Sequence, residues 1–116
     1  KLIVWSLGNI ISNQRRVHTD GGSSLQFSLY RDSIGEVHFR DVGFHLHWVY
    51  VHKQNDKRIY NILPITKAEA LQLEMTEKSK GDLETFINNE RTLYIEHNIN
   101  VPEFQYNREL DSYYLD

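Results

Sequence analysis

Histidines and arginines carry most of the chemistry this sequence could perform. Four of the six histidines, His38, His45, His47 and His52, fall within residues 36–52, which read Glu-Val-His-Phe-Arg-Asp-Val-Gly-Phe-His-Leu-His-Trp-Val-Tyr-Val-His. His45 and His47 are two apart, so on a strand they point the same way. With His38 opposite them, three imidazoles would share a face, the number that holds zinc with one position open. Glu36 would be a further ligand or an orienting carboxylate. Arg40 beside His45 would repel a dication, so we expect neither a metal nor a cofactor. A metal-dependent hydrolase is then the third functional reading.

A second stretch with chemistry is residues 12–23, Ser-Asn-Gln-Arg-Arg-Val-His-Thr-Asp-Gly-Gly-Ser. It has no hydrophobic period, and a long structureless stretch in a small domain is usually functional or mobile. Arg15 and Arg16 can fork onto a phosphate, and His18 adds a further donor. Thr19, Ser23 and Ser24 offer hydroxyls. Gly21 and Gly22 would let backbone N–H groups turn inward as an anion nest. There is no Gly-Lys-Ser/Thr phosphate loop, no nucleophile elbow and no paired-carboxylate motif. The chain therefore reads as non-enzymatic.

These residues need elements to hold them. Phe44, Leu46, Trp48 and Tyr50 alternate with His45 and His47, while Val37 and Phe39 alternate with Glu36, His38 and Arg40. The apolar phase changes between Phe39 and Phe44. A two-residue turn at Val42-Gly43 accounts for it, pairing Arg40 with His45, Phe39 with Leu46 and His38 with His47. Leu25, Phe27 and Leu29 extend the pattern backwards through a turn at Asp32-Ser33-Ile34-Gly35. Phe27 then lies beside Phe39 and Ser28 beside His38. The polar face carries Gln26, Ser28, Tyr30, Glu36, His38, Arg40, His45 and His47.

Leu2–Ile11 is apolar on both faces and reads as a central strand. Arg58–Leu63 is a further strand, with Tyr60 near Tyr50, and Pro64 ends it. Thr66 and Glu69 form a capping box for a helix running to Lys78–Gly81. Asp82 caps a second helix through about Glu90, with Thr92–His97 open between helix and strand. Beyond Asn98 an irregular tail combines Phe104, Tyr106, Tyr113 and Tyr114 with acids. It reads either as packed on its own domain or as a docking segment.

At 116 residues the chain suits a single domain, 1–116. It has no cysteine, hence no disulfide framework and no thiolate metal site. No apolar run spans a membrane and Lys1 opens no signal peptide, so a cytoplasmic, intracellular setting is expected. Only two alanines against many Asn, Ile and Tyr residues point to AT-rich coding, bacterial or viral. Residues 1–58 carry eight Lys/Arg and five Asp/Glu (+3), and residues 59–116 carry five and eleven (−6), together the net −3. That split suggests one basic and one acidic surface. Without a dense cationic stripe, long nucleic acid is not an expected partner.

The fold expected is α+β: an antiparallel meander of about five strands, two helices on one face and an irregular aromatic acidic tail. The function expected is non-enzymatic binding, or sequestration, of an anionic ligand, phosphorylated or nucleotide-like. Arg15, Arg16, His18, Thr19, Ser23, Ser24, Tyr30, His38, Arg40, His45 and His47 would form the site. The alternative is an interaction or inhibitor protein that meets a partner protein through its surface and its aromatic acidic tail, with a second copy of itself able to dock through the tail.

Overall fold

The computed structural model describes residues 1–4, 6–11 and 13–116. Its elements are β1 (Gly21–Arg31), β2 (Val37–Gln54), β3 (Lys57–Pro64), α1 (Ile65–Leu71), α2 (Glu77–His97), β4 (Gln105–Asn107) and β5 (Ser112–Tyr114). The fold is α+β. Five strands are present, but they form a three-stranded antiparallel sheet, β1-β2-β3, and a separate two-stranded β4-β5 sheet, not one five-stranded meander.

β2 runs unbroken through residues 42 and 43, so the expected turn there does not exist. Its place is taken by a β-bulge: Gln26 pairs with Gly43 but Ser28 with Arg40, which leaves one extra residue on β2. Asp41, at φ 55°, takes the left-handed conformation that lets the strand absorb it. A bulge changes the side-chain phase just as a turn would. Opposed residues share a face, so Leu25, Phe27, Leu29, Val37, Phe39, Phe44, Leu46 and Trp48 lie on one side. Gln26, Ser28, Tyr30, His38, Arg40, His45 and His47 lie on the other. The expected faces are thus found, and Phe27 does meet Phe39, edge to face at 6.4 Å. The expected pairs are not: Arg40 opposes Ser28, Phe39 opposes Leu29, His38 opposes Tyr30, His45 opposes Ser24 and His47 opposes Gly22.

The β1–β2 turn lies where its residues require. Asp32 Oδ1 accepts from the N–H groups of Ile34 and Glu36, and Gly35 supplies φ 92°. At the other end Asn55 and Asp56, both at positive φ, close the β2–β3 hairpin. Tyr60 opposes Val51, one residue from Tyr50.

The apolar face is covered only in part. Phe44, Leu46 and Trp48 form the core with Ile65 of α1 and Phe86 of α2, and Tyr94 and Leu83 pack against them. Tyr94 stacks on Phe44 with ring centroids 4.0 Å apart and donates to Ser23 Oγ. Beyond the bulge, β1 and β2 continue as a two-stranded arm on which Phe27, Leu29, Val37 and Phe39 are exposed. The arm makes the molecule long, 58 × 32 × 24 Å, with a radius of gyration of 16.3 Å. A compact chain of this length would have about 13 Å.

Three further expectations are corrected. Residues 2–11 form no central strand. Gly8, at φ 73°, makes a single bridge to Gly22, and Ile3, Val4, Leu7, Ile10 and Ile11 are exposed; Trp5 lies outside the described residues. The helix boundaries shift as well. α1 starts after Pro64 with no side-chain cap and stops at Gln72, which adopts the left-handed conformation. α2 is capped by Thr76, whose side chain accepts from Ser79 N–H, and runs from Glu77 to His97. Lys78, Gly81 and Asp82 therefore lie inside its first turns, and residues 92–97 are helix. Finally, the tail is not irregular. Phe104 N–H donates to Phe44 O, and Phe44 N–H donates to Pro102 O. This short parallel segment takes the lane beside β2 that Pro64 leaves, because proline has no N–H to continue β3. The β4–β5 hairpin then folds over the polar face, where Phe104 and Leu115 fill the space above Gly43. No helix among the described residues is long and apolar enough to cross a membrane.

Candidate functional site

Residues 15–20 cross the end of the sheet and face α2 over a cleft of about 380 Å³. Arg15, Arg16, His18 and Asp20 line one wall. The other wall is one face of α2, with Lys78, Asp82, Thr85, Asn89 and Glu90 at helical spacing, and Trp48 and Phe86 form the floor. The two oppositely charged halves of the sequence thus meet here, and the expected separate basic and acidic surfaces do not hold at this point.

The loop is locally closed. Thr19 Oγ1 donates to Arg16 O and accepts from Arg16 N–H, which sets the turn that brings His18 to φ 61°. His18 Nδ1 lies 2.6 Å from Oε1 of Glu90, a carboxylate buried on α2. That bond fixes the ring at the cleft wall. Asp20 accepts from Trp48 Nε1–H at 2.9 Å, and Asp82 pairs with Lys78 at 2.6 Å. Arg15 is structural in part, since its Nη1 donates to Val49 O at 2.6 Å. The Arg16 guanidinium has no hydrogen bond or ion pair among the described residues.

The other expected site residues are elsewhere. Gly21 and Gly22 do not form a nest but are buried in β1, where a Cβ on Gly21 would meet His47 O at 2.2 Å and one on Gly22 would meet Leu7 O at 2.6 Å. Close approach of backbones selects these glycines. Ser23 is buried beneath Tyr94, and Ser24 Oγ bonds His47 Nε2 at 2.7 Å. Tyr30, His38 and Arg40 sit together on the arm: His38 stacks on Tyr30, and Arg40 lies over the same ring at 5.4 Å. His45 lies under the tail hairpin, with His47 6.2 Å from it on the same strand. The eleven candidates therefore divide: Arg15, Arg16, His18 and Thr19 in the cleft loop, Tyr30, His38 and Arg40 on the arm, Ser24, His45 and His47 on the polar sheet face, and Ser23 on the apolar face beneath Tyr94.

His38 does not join His45 and His47 in a metal constellation. It bonds Asp32 Oδ2 at 2.7 Å, and this bond, with the turn N–H groups, holds the Asp32 carboxyl below its ordinary range. The group that could approach a cation is instead Asp32, Glu36 and His38. Both Asp32 oxygens and His38 Nε2 are already engaged in closing the hairpin.

Sequence reasoning missed Glu90, Lys78 and Asp82. Their signal was the spacing Asp82, Phe86, Glu90, which puts two acids in line with a core aromatic on one helix face. Starting the second helix at Asp82 and ending it at Glu90 left each at a terminus and hid that alignment. The chain matches no protein-family model, no curated protein and no solved structure.

Proposed function

We propose that the chain is a non-enzymatic binding protein for an anionic small ligand, phosphorylated or nucleotide-like, taken into the cleft between residues 15–20 and α2. The observation that supports this reading is Arg16: a guanidinium without a partner among the described residues, on the wall of a cleft large enough for such a ligand. Every carboxylate along that cleft is already engaged, Asp20 by Trp48, Asp82 by Lys78 and Glu90 by His18. Arg16 is thus the group an incoming phosphate would satisfy, with Lys78 and His18 lining the same cleft.

Titration calorimetry with inorganic phosphate, pyrophosphate and a nucleoside monophosphate tests this. Arg16→Ala removes a charge-assisted bond of about 1.5–3 kcal/mol, so binding of whichever anion the wild type takes falls about tenfold or more. Its melting temperature stays within a degree or two, because an exposed arginine contributes about 0–1 kcal/mol. Arg15→Ala lowers the melting temperature instead, by loss of the bond to Val49 O. Absence of binding by all three anions in the wild type, or unchanged binding in Arg16→Ala, refutes the site.

A second reading, an interaction protein, is favoured by the arm, whose exposed Phe27, Leu29, Val37 and Phe39 form one apolar strip. Sedimentation of the wild type and Leu29→Ser distinguishes self-association through that strip from a monomer.

A further inference from the structure

We propose that the C-terminal hairpin, residues 104–115, is a pH-sensitive cover that opens from the sheet in mildly acidic solution while the three-stranded sheet stays folded.

The cover rests on His45, with His47 beside it on the same strand. His45 is buried with its ring flat against Phe104, centroids 4.6 Å apart and planes 7° from parallel, and against the edge of Tyr113 at 4.8 Å. His47 lies 6.2 Å away on the same strand. The His47 ring is not set up to carry a proton on both nitrogens. His45 Nε2 has an acceptor in Gln26 Oε1 at 3.0 Å. His47 Nε2 faces Ser24 Oγ, but its Nδ1 is buried with no partner among the described residues. An imidazolium at His47 would bury an N–H that nothing accepts.

The surroundings supply no counter-charge. Ser24 and Gln26 face the pair from β1, and Phe104 and Tyr113 face it from the tail. Beside Tyr113 are Tyr106, Asp111 and, from α1, Lys67, and Asp111 is taken by Lys67 and the Tyr106 hydroxyl. From the loop, Arg15 binds Val49 O, two residues beyond His47. Among the described residues no carboxylate bonds either imidazole. The Phe104 face would favour a charged ring, but it is outweighed. Burial, and for His45 also the charge of His47, holds both groups below the ordinary 6.5.

The sign follows from proton linkage. With the hairpin open, the His45 ring faces water and binds protons at its ordinary value. With it closed it binds them less readily, so the open state takes up protons first as pH falls. Closure is fully favoured above about 6.5 and is lost below it, by up to tenfold per pH unit for the His45 imidazole. The backbone pairing of Phe104 with Phe44 and the Lys67–Asp111 bridge resist opening, but neither gains strength as pH falls to 5.

Hydrogen exchange read by mass spectrometry, corrected for the intrinsic rate, tests this at pH 7.5, 6.5 and 5.5. In the wild type, protection across residues 104–114 is expected to fall several-fold, up to about tenfold, relative to β2–β3. In His45→Phe, which keeps a flat ring on Phe104, and in His45→Gln, that fall is expected to shrink at least threefold. Constant wild-type protection overturns the proposal, as does an equal fall in either folded variant or a simultaneous loss in β2–β3. The wild-type measurement decides even if a variant fails to fold. It does not depend on the anion site, since neither histidine lines the cleft.

Discussion

Trp48→Ala is expected to lower the unfolding free energy by about 3–5 kcal/mol, the range for removing a buried large aromatic. Trp48 is only 4% exposed and lies in the cluster with Phe44, Leu46, Ile65 and Phe86. Its loss would leave a cavity bounded by a sheet on one side and α2 on the other, two rigid walls that collapse poorly. It would also strip Asp20 of its indole donor, so the cleft wall loosens with the core. Urea unfolding measures the effect. A loss under about 1 kcal/mol would place Trp48 outside the core, contrary to the packing.

Arg91→Met is expected to cost about 2 kcal/mol. The Arg91 guanidinium binds both oxygens of Glu69 on α1, at 2.7 and 2.8 Å, and both oxygens of Glu103 in the tail, at 2.9 and 3.2 Å. These hydrogen bonds, led by those to Glu69, hold its proton more tightly still. The arginine side chain is one-third exposed and Glu69 somewhat more, so that half of the fork is screened by water and contributes little. Glu103 is only 13% exposed, and stranding a nearly buried carboxylate supplies most of the loss. A double-mutant cycle separates the two: coupling to Glu103→Gln should exceed coupling to Glu69→Gln. The reverse order would mean that Arg91 ties the helices together more than it ties the tail.

The sheet faces were legible in the sequence because apolar alternation reports which side a residue takes. It does not report how a change of phase is made. Between Phe39 and Phe44 a turn and a bulge are equivalent to the pattern, and only the left-handed Asp41 distinguishes them. That one difference separated His38 and Arg40 from His45 and His47, since a hairpin would have folded them together and a continuous strand carries them apart. The helices were legible by existence and not by boundary, because Thr66–Glu69 and Thr76–Ser79 both satisfy the rules for a start and only the second is used. The cleft was half legible. Arg15, Arg16 and His18 stood out as polar residues without a period, whereas Glu90 is far away in the chain and reaches His18 only through the packing of α2. The apolar residues 2–11 misled for a physical reason: apolar content predicts burial only where something is available to cover it, and the tail covers the polar face instead.

The lane beside Phe44 has a consequence for the order of folding. β1, β2 and β3 are joined by tight turns, so their contacts close short loops and can form early. The segment at Pro102–Phe104 is separated from β3 by both helices, and its pairing with Phe44 closes a much longer loop. Until it arrives, the N–H and C=O of Phe44 are an open sheet edge next to an uncovered Phe-rich face. Such an edge can recruit a strand from another molecule. During synthesis and refolding, then, yield should depend on protein concentration, and crowded refolding should divert chains at the step before the tail docks, with the native state itself no less stable.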